Sequence, residues 1–133
     1  MTAKFFLDTN IVVYLLSGDS EKSNKAEQLV MAYPIISTQV ANEFANVCLK
    51  KMKFTKEETQ ALVKSLLNAC QTISVSVETI HKAMQLSNRY ALSYWDSLIV
   101  AAAVLSDATL LYSEDMQQGL EIETITIVNP FKP

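Results

Sequence analysis

The stretch Lys4 to Asn10, KFFLDTN, constrains the fold more than any other part of the chain. Phe5, Phe6 and Leu7 form a short continuous apolar run, which suits a strand buried on both faces. The run breaks off in Asp8, Thr9 and Asn10. A helical pattern follows at once, with Ile11, Val12, Leu15 and Leu16 on one side. An acidic residue therefore sits where a buried strand hands over to a helix. In open α/β sheets, ligands bind in the crevice outside the carboxyl ends of the strands. Asp8, Thr9 or Asn10 could equally be the cap of the next helix, since all three types are favoured there. The other acidic positions have to break the tie.

A second helix is predicted over Glu21 to Tyr33, through Ala26, Leu29, Val30 and Tyr33, and Pro34 ends it. Ile35 and Ile36 read as a second buried strand, closed by Ser37 and Thr38, which can cap a helix from about Gln39 to Met52. The apolar stripe of that helix is Val40, Ala41, Phe44, Ala45, Val47 and Cys48. Glu43 falls on the border of the stripe, where a partly buried side chain would suit a ligand carboxylate; a solvated glutamate is the alternative. Lys50, Lys51, Lys53 and Lys56 cluster around a turn. They are candidates for phosphate contacts or simply a charged turn facing water. Thr55 and Glu58 form a capping box for a helix that packs through Leu62, Val63, Leu66 and Leu67 up to Cys70.

Ile73 and Val75 suggest a short strand. Ser76 can cap a helix to about Tyr90, packed through Val77, Ile80, Ala83, Met84 and Ser87, with His81 on its surface. Ser93 to Leu105 is apolar almost all round beyond Leu98, which places this helix in the middle of the protein. Asp96 lies in its first turn, either as half of a capping box with Ser93 or as a carboxylate facing inward. Ala108 to Tyr112 is another buried strand, and Ser113, Glu114 and Asp115 after it repeat the pattern around Asp8. Thr124 to Val128 is the last strand, an edge candidate, stopped by Asn129 and Pro130. Strands and helices alternate throughout, so the fold class is α/β with a mainly parallel sheet.

The chain has 133 residues, enough for one domain with a real core. Half of its residues are hydrophobic, and the apolar stripes exceed what one sheet needs, so some of that surface is expected to meet a partner. The start of the chain lacks a signal-peptide pattern, and no stretch approaches the length of a membrane span. A soluble cytoplasmic protein is expected, with Cys48 and Cys70 as buried free thiols. The net charge of −3 matters because nucleic-acid binders usually carry basic surfaces.

If the strands are parallel, their carboxyl ends share one side of the sheet, and Asp8, Glu43, Asp96 and Asp115 can converge there. Carboxylates brought together in a cleft repel one another. A hard divalent cation relieves that repulsion, and oxygen ligands without His or Cys select Mg²⁺ or Mn²⁺. A phosphate-binding glycine loop is excluded, since Gly18 and Gly119 are the only glycines. An aspartyl-phosphate enzyme with a DxD pattern does not fit, because position 10 is Asn.

LDTNI at Leu7 to Ile11, NEF at Asn42 to Phe44, YWDSLIVAAA at Tyr94 to Ala103 and LLYSEDM at Leu110 to Met116 resemble the signature motifs of PIN domains. They are most similar to the VapC-type ribonuclease toxins of bacterial toxin–antitoxin pairs. The resemblance covers essentially the whole chain, down to NPF at Asn129 to Phe131, and implies one PIN domain over residues 1–133. It implies a three-layer α/β/α fold and a Mg²⁺- or Mn²⁺-dependent endoribonuclease. The metal-binding acids would be Asp8, Glu43, Asp96 and Asp115, with Thr9, Asn10 and Ser113 in support. The implied partners are an RNA substrate, a small antitoxin and a second copy of the chain. Many relatives have an acid and an aromatic shortly after the last Asp, where this chain has Gln117 and Gln118. A PIN-like module that only binds, or a housekeeping nuclease without an antitoxin, are the alternatives.

Overall fold

The apolar run ahead of Asp8 lies at the centre of the sheet. In the computed structural model, which describes residues 4–132, β1 spans Phe5–Leu7, and Phe6 and Leu7 are fully buried. The first three residues of the N-terminal stretch lie outside the described residues. Helix α1 (Thr9–Val13) follows with only Asp8 between and passes into a 3-10 turn at Tyr14–Leu16. Then come α2 (Ser20–Met31), β2 (Ile35–Ser37), α3 (Thr38–Lys50), α4 (Lys56–Ala69), β3 (Gln71–Ile73), α5 (Val77–Arg89), α6 (Tyr94–Leu105), β4 (Leu110–Tyr112), β5 (Glu121–Ile122) and β6 (Ile125–Val128).

The sheet order is β3-β2-β1-β4-β6-β5, and every pairing is parallel except β5 with β6. From β1 the chain steps outward through β2 to β3, then crosses back through α5 and α6 to β4 on the other side of β1. Right-handed crossovers in opposite directions put their helices on opposite faces, giving three layers. Helix α3 packs on α1, α4 and β2, while α6 packs on β2, β4, β6 and α5. The direction of winding reverses between β1 and β4, and a crevice opens at the carboxyl ends of such a strand pair.

Local signals set most helix starts. Ser37 accepts the Val40 N–H, Thr55 and Glu58 close their capping box, and Ser76 caps α5. Ser97 through Ala103 of α6 are all buried, as the apolar run requires. Cys48 and Cys70 are buried and free. No helix among the described residues is long and apolar enough to cross a membrane.

The structure departs from the sequence reading at three elements. Tyr33 is not part of α2: Pro34 bars it from the right-handed helical region, and the chain leaves the helix through a left-handed Tyr33 with φ 55° and an exposed ring. Helix α5 buries Thr79, Ala83 and Leu86, leaving Val77, Ile80 and Met84 exposed. It packs on α6, and small Ala83 suits a close helix–helix approach. Finally, β6 is interior. A two-residue turn with Glu123 at φ 53° folds β5 back onto it, so the edge on that side is β5, too short to be read from the sequence.

Candidate active site

Asp8 follows β1 directly and keeps its ladder: its N–H donates to the Tyr112 carbonyl at 3.0 Å, and the Ser113 N–H donates to Val128 at 3.0 Å. The turns after β1 and β4 are thereby held side by side. Asp8 also caps α1, its Oδ1 accepting the Thr9 N–H at 2.7 Å. Its Oδ2 accepts from the Ser113 hydroxyl at 2.8 Å and from Asn10 Nδ2 at 3.1 Å. Capping and site-building are thus not rivals at this residue.

Asn10 ties the two turns together. Its Oδ1 accepts the Glu114 N–H at 3.1 Å, which fixes the orientation of the amide. Its Nδ2 then donates to both Asp8 and Asp115, each at 3.1 Å. Ser113, fully buried, also accepts the Met116 N–H at 3.2 Å. Thr9 faces the other way and donates its hydroxyl to Glu43 Oε1 at 2.7 Å. Glu43 itself is exposed and not half-buried, because it lies on the solvent flank of α3 and reaches the site with the end of its side chain. Asp96 is half-buried, and its N–H is capped by Ser93 Oγ at 3.1 Å. No capping box forms at α6, so its carboxylate is not used in a bond back to Ser93.

Asp8, Glu43, Asp96 and Asp115 line one cavity of about 280 Å³ with Thr9 and Asn10. Burial pushes the Asp8 carboxyl up to about 6, and the charges of Asp96 and Glu43 push the same way, against the hydrogen bonds from Ser113 and Thr9. No basic, His or Cys side chain lines the cavity among the described residues. The donor chemistry fits a hard divalent cation, since every ionisable wall group is a carboxylate. Among the described residues, no three acidic side chains stand grouped closely enough to hold a metal ion as they are. The fit is therefore one of donor type around a shared cavity.

Some contributors had no sequence signal. Glu114 accepts bonds from the Tyr14 hydroxyl and from Lys22 Nζ, the latter at 2.8 Å. Lys22 sits 4.7 Å from the Tyr14 ring centroid and 5.1 Å from that of Phe131. The hydrogen bond from Lys22, then that from Tyr14, holds Glu114 below the usual carboxylate range, so this acid is ionised and already paired with a cation. Gln118, which departs from the resembling motifs, accepts the Asn129 N–H at 3.0 Å and so has a structural task. Lys50, Lys51, Lys53 and Lys56 are all exposed. Lys50 lies two helical turns beyond Glu43, roughly 10 Å farther along α3.

Ser113→Ala isolates the support of Asp8. It removes a charge-assisted bond and strands the Met116 N–H, for an expected loss of about 1–3 kcal/mol in urea unfolding. The Asp8 carboxyl should titrate still higher in carboxyl-carbon NMR. An unmoved titration would mean that Ser113 does not act on Asp8.

A family profile described as PIN domain matches residues 5–119. Among solved structures, the fold is similar to a toxin–antitoxin complex from Klebsiella pneumoniae, with TM-score 0.73 and 24% identity over 98% of this chain and 100% of that chain. It is also similar to a DNA-bound VapBC from Salmonella typhimurium, with TM-score 0.72 and 18% identity over 95% of this chain and 97% of that chain. A third likeness is to VapC20 from Mycobacterium tuberculosis, described as a sarcin–ricin loop cleaving toxin. There the TM-score is 0.68 and the identity 14%, over 84% of this chain and 90% of that chain. At such identities the likeness speaks for the fold. Comparison by sequence with curated proteins gives no match.

Proposed function

The chain belongs to the PIN domain family, and from that premise we propose that it is a Mg²⁺- or Mn²⁺-dependent endoribonuclease, the toxin of a toxin–antitoxin pair. The observation that carries this reading is the cavity walled by Asp8, Glu43, Asp96 and Asp115, in which Asp8 is buried and raised to about 6. Such a set is unfavourable alone and favourable around a cation. Asp8 and Asp96 would be the central ligands, with Asp115 and Glu43 completing the site or holding a second, weaker metal. Bound there, the metal would orient the scissile phosphate, lower the pKa of a water and neutralise developing charge.

The chain's own residues supply the rest. The Ser113 hydroxyl and the Thr9 N–H hold Asp8, and the Asn10 amide keeps Asp115 beside it. The Thr9 hydroxyl turns Glu43 towards the same cavity. Such outer bonds fix the direction of ligand oxygens. No Ser, Cys or His with an orienting base lines the cavity among the described residues. Water is thus the nucleophile of this reading, and in-line attack leaves a 5′-phosphate and a 3′-hydroxyl.

A small antitoxin is the second part of the proposal. A groove of about 320 Å³, whose wall includes Val13, Leu16, Val47 and Met52 together with Tyr14 and Lys51, would take its apolar residues. An arginine from it would pair with the cavity carboxylates bidentately and compete with the metal. A homodimer is the third part, supported by exposed Val77, Ile80 and Met84 on one face of α5; sedimentation should give the mass of two copies. The test of the activity is direct. Purified protein with Mn²⁺ should cut structured RNA, leave 5′-phosphate ends and lose activity with EDTA. Cleavage that survives chelation would sink the metal mechanism.

A further inference from the structure

Beside the acid-lined cavity lies a second one of about 440 Å³, and Gln39, Glu43 and Trp95 belong to the walls of both. Trp95, Val75 and Leu98 give the second cavity apolar surface, while Thr38, Gln39 and Asn42 give it neutral hydrogen-bonding groups. Among the described residues, no basic side chain lines either cavity. Trp95 is the only tryptophan in the chain, and it is 65% exposed although Asp96, its neighbour, is half-buried. Indoles are highly buried on average, so one held open beside the acids asks for an occupant.

The platform is braced. Tyr94 meets the indole edge-on with centroids 5.5 Å apart, and the Trp95 carbonyl accepts from Gln39 Nε2 at 3.3 Å. Gln39 Oε1 is buried and has no hydrogen-bond partner, so the amide acts on the Trp95 backbone through Nε2. Thr38 Oγ1 accepts the Val75 N–H at 3.1 Å, which leaves its own O–H to donate.

We propose that this second cavity is a subsite for one unpaired nucleobase flanking the scissile phosphate, stacked on Trp95 with its edge towards Thr38 and Asn42. The proposal rests on the nuclease reading above and names the part of an RNA that the site takes. A base is flat, neutral and rimmed by donors and acceptors, which matches these walls. A second phosphate would find no basic side chain in these walls. The shared wall puts the base within about one nucleotide of the acids. A base inside a duplex cannot stack on a side chain, so the preferred substrate is a loop, bulge or single strand.

The sole tryptophan makes the test specific. Wild-type protein in Mg²⁺ is titrated with a nuclease-resistant 2′-O-methyl phosphorothioate hexanucleotide, and separately with the same backbone lacking its bases. Indole fluorescence should be quenched by the first and not by the second. Trp95→Ala should raise KM for a loop RNA about tenfold, and Trp95→Phe should recover most of that loss. Trp95 is exposed, so neither change disturbs the core. Equal quenching by both oligomers, or an unchanged KM while RNA is still cut, overturns the subsite and leaves the nuclease. Base-selective quenching in a protein that cuts no RNA supports the base site and sinks the nuclease. Fluorescence that tracks protein concentration, with a smaller sedimenting mass for Trp95→Ala, assigns the surface to a second copy and overturns the proposal.

Discussion

Replacing Asp8 with asparagine will leave a folded protein that cleaves RNA on the order of a thousandfold more slowly, or worse, since a bound metal supplies several kcal/mol of transition-state stabilisation. The amide keeps one acceptor for the Thr9 N–H, so α1 retains its cap. It removes the one buried charge in the site. The pH dependence follows with a definite sign. The Asp8 carboxyl is raised from 3.8 to about 6, so between those values the folded state binds more protons than the unfolded one. Stability of the metal-free protein should therefore rise as pH falls from 7 towards 5. At pH 7 the ionised group opposes folding by at most about 3 kcal/mol, at about 1.4 kcal/mol per pKa unit. Asp8→Asn should melt no lower than wild type at pH 7 and should lose the rise on acidification. Full activity in this variant would move the chemistry elsewhere, and an unfolded variant would reduce Asp8 to a helix cap.

Expression of the chain alone should halt bacterial growth, the Asp8→Asn form should be harmless, and the small open reading frame beside the gene should restore growth. The groove at Val13, Leu16, Val47 and Met52 offers apolar side chains, and the cavity at Asp8 is acidic. A short segment with apolar residues and one arginine satisfies both. A housekeeping nuclease needs no such inhibitor. If wild-type expression is tolerated while the purified protein still cuts RNA, the toxin assignment falls and the nuclease assignment stands.

What could be read from the sequence was local. The buried run at Phe5 to Leu7, the apolar helix through Ala103 and the capping residues Ser37, Thr55, Ser76 and Ser93 act within a few positions of themselves. The acids were legible as a pattern because Asp8 and Asp115 follow buried strands, and a parallel sheet sends such ends to one side. What depends on docking was not legible. The buried face of α5 is chosen by α6, and β5 exists only because β6 is there to pair with it. Glu43 was expected at half burial because helix periodicity gives an angle around an axis and no measure of what covers it. The Glu114–Lys22–Tyr14 cluster joins residues about a hundred positions apart, with no motif to announce it.

The bond from Ser113 to Asp8 spans 105 positions, and the Asn10 contacts to the far turn are as long-range. A ribosome that has released the chain only as far as Leu105 has exposed Asp8, Glu43 and Asp96 without the strand that aligns them. The β1–β4 pairing closes late, both because synthesis is vectorial and because distant strand pairs form slowly. Under the reading proposed above, the nascent protein is inert towards the RNA of the machine making it. Its potency begins only once β4 has paired beside β1.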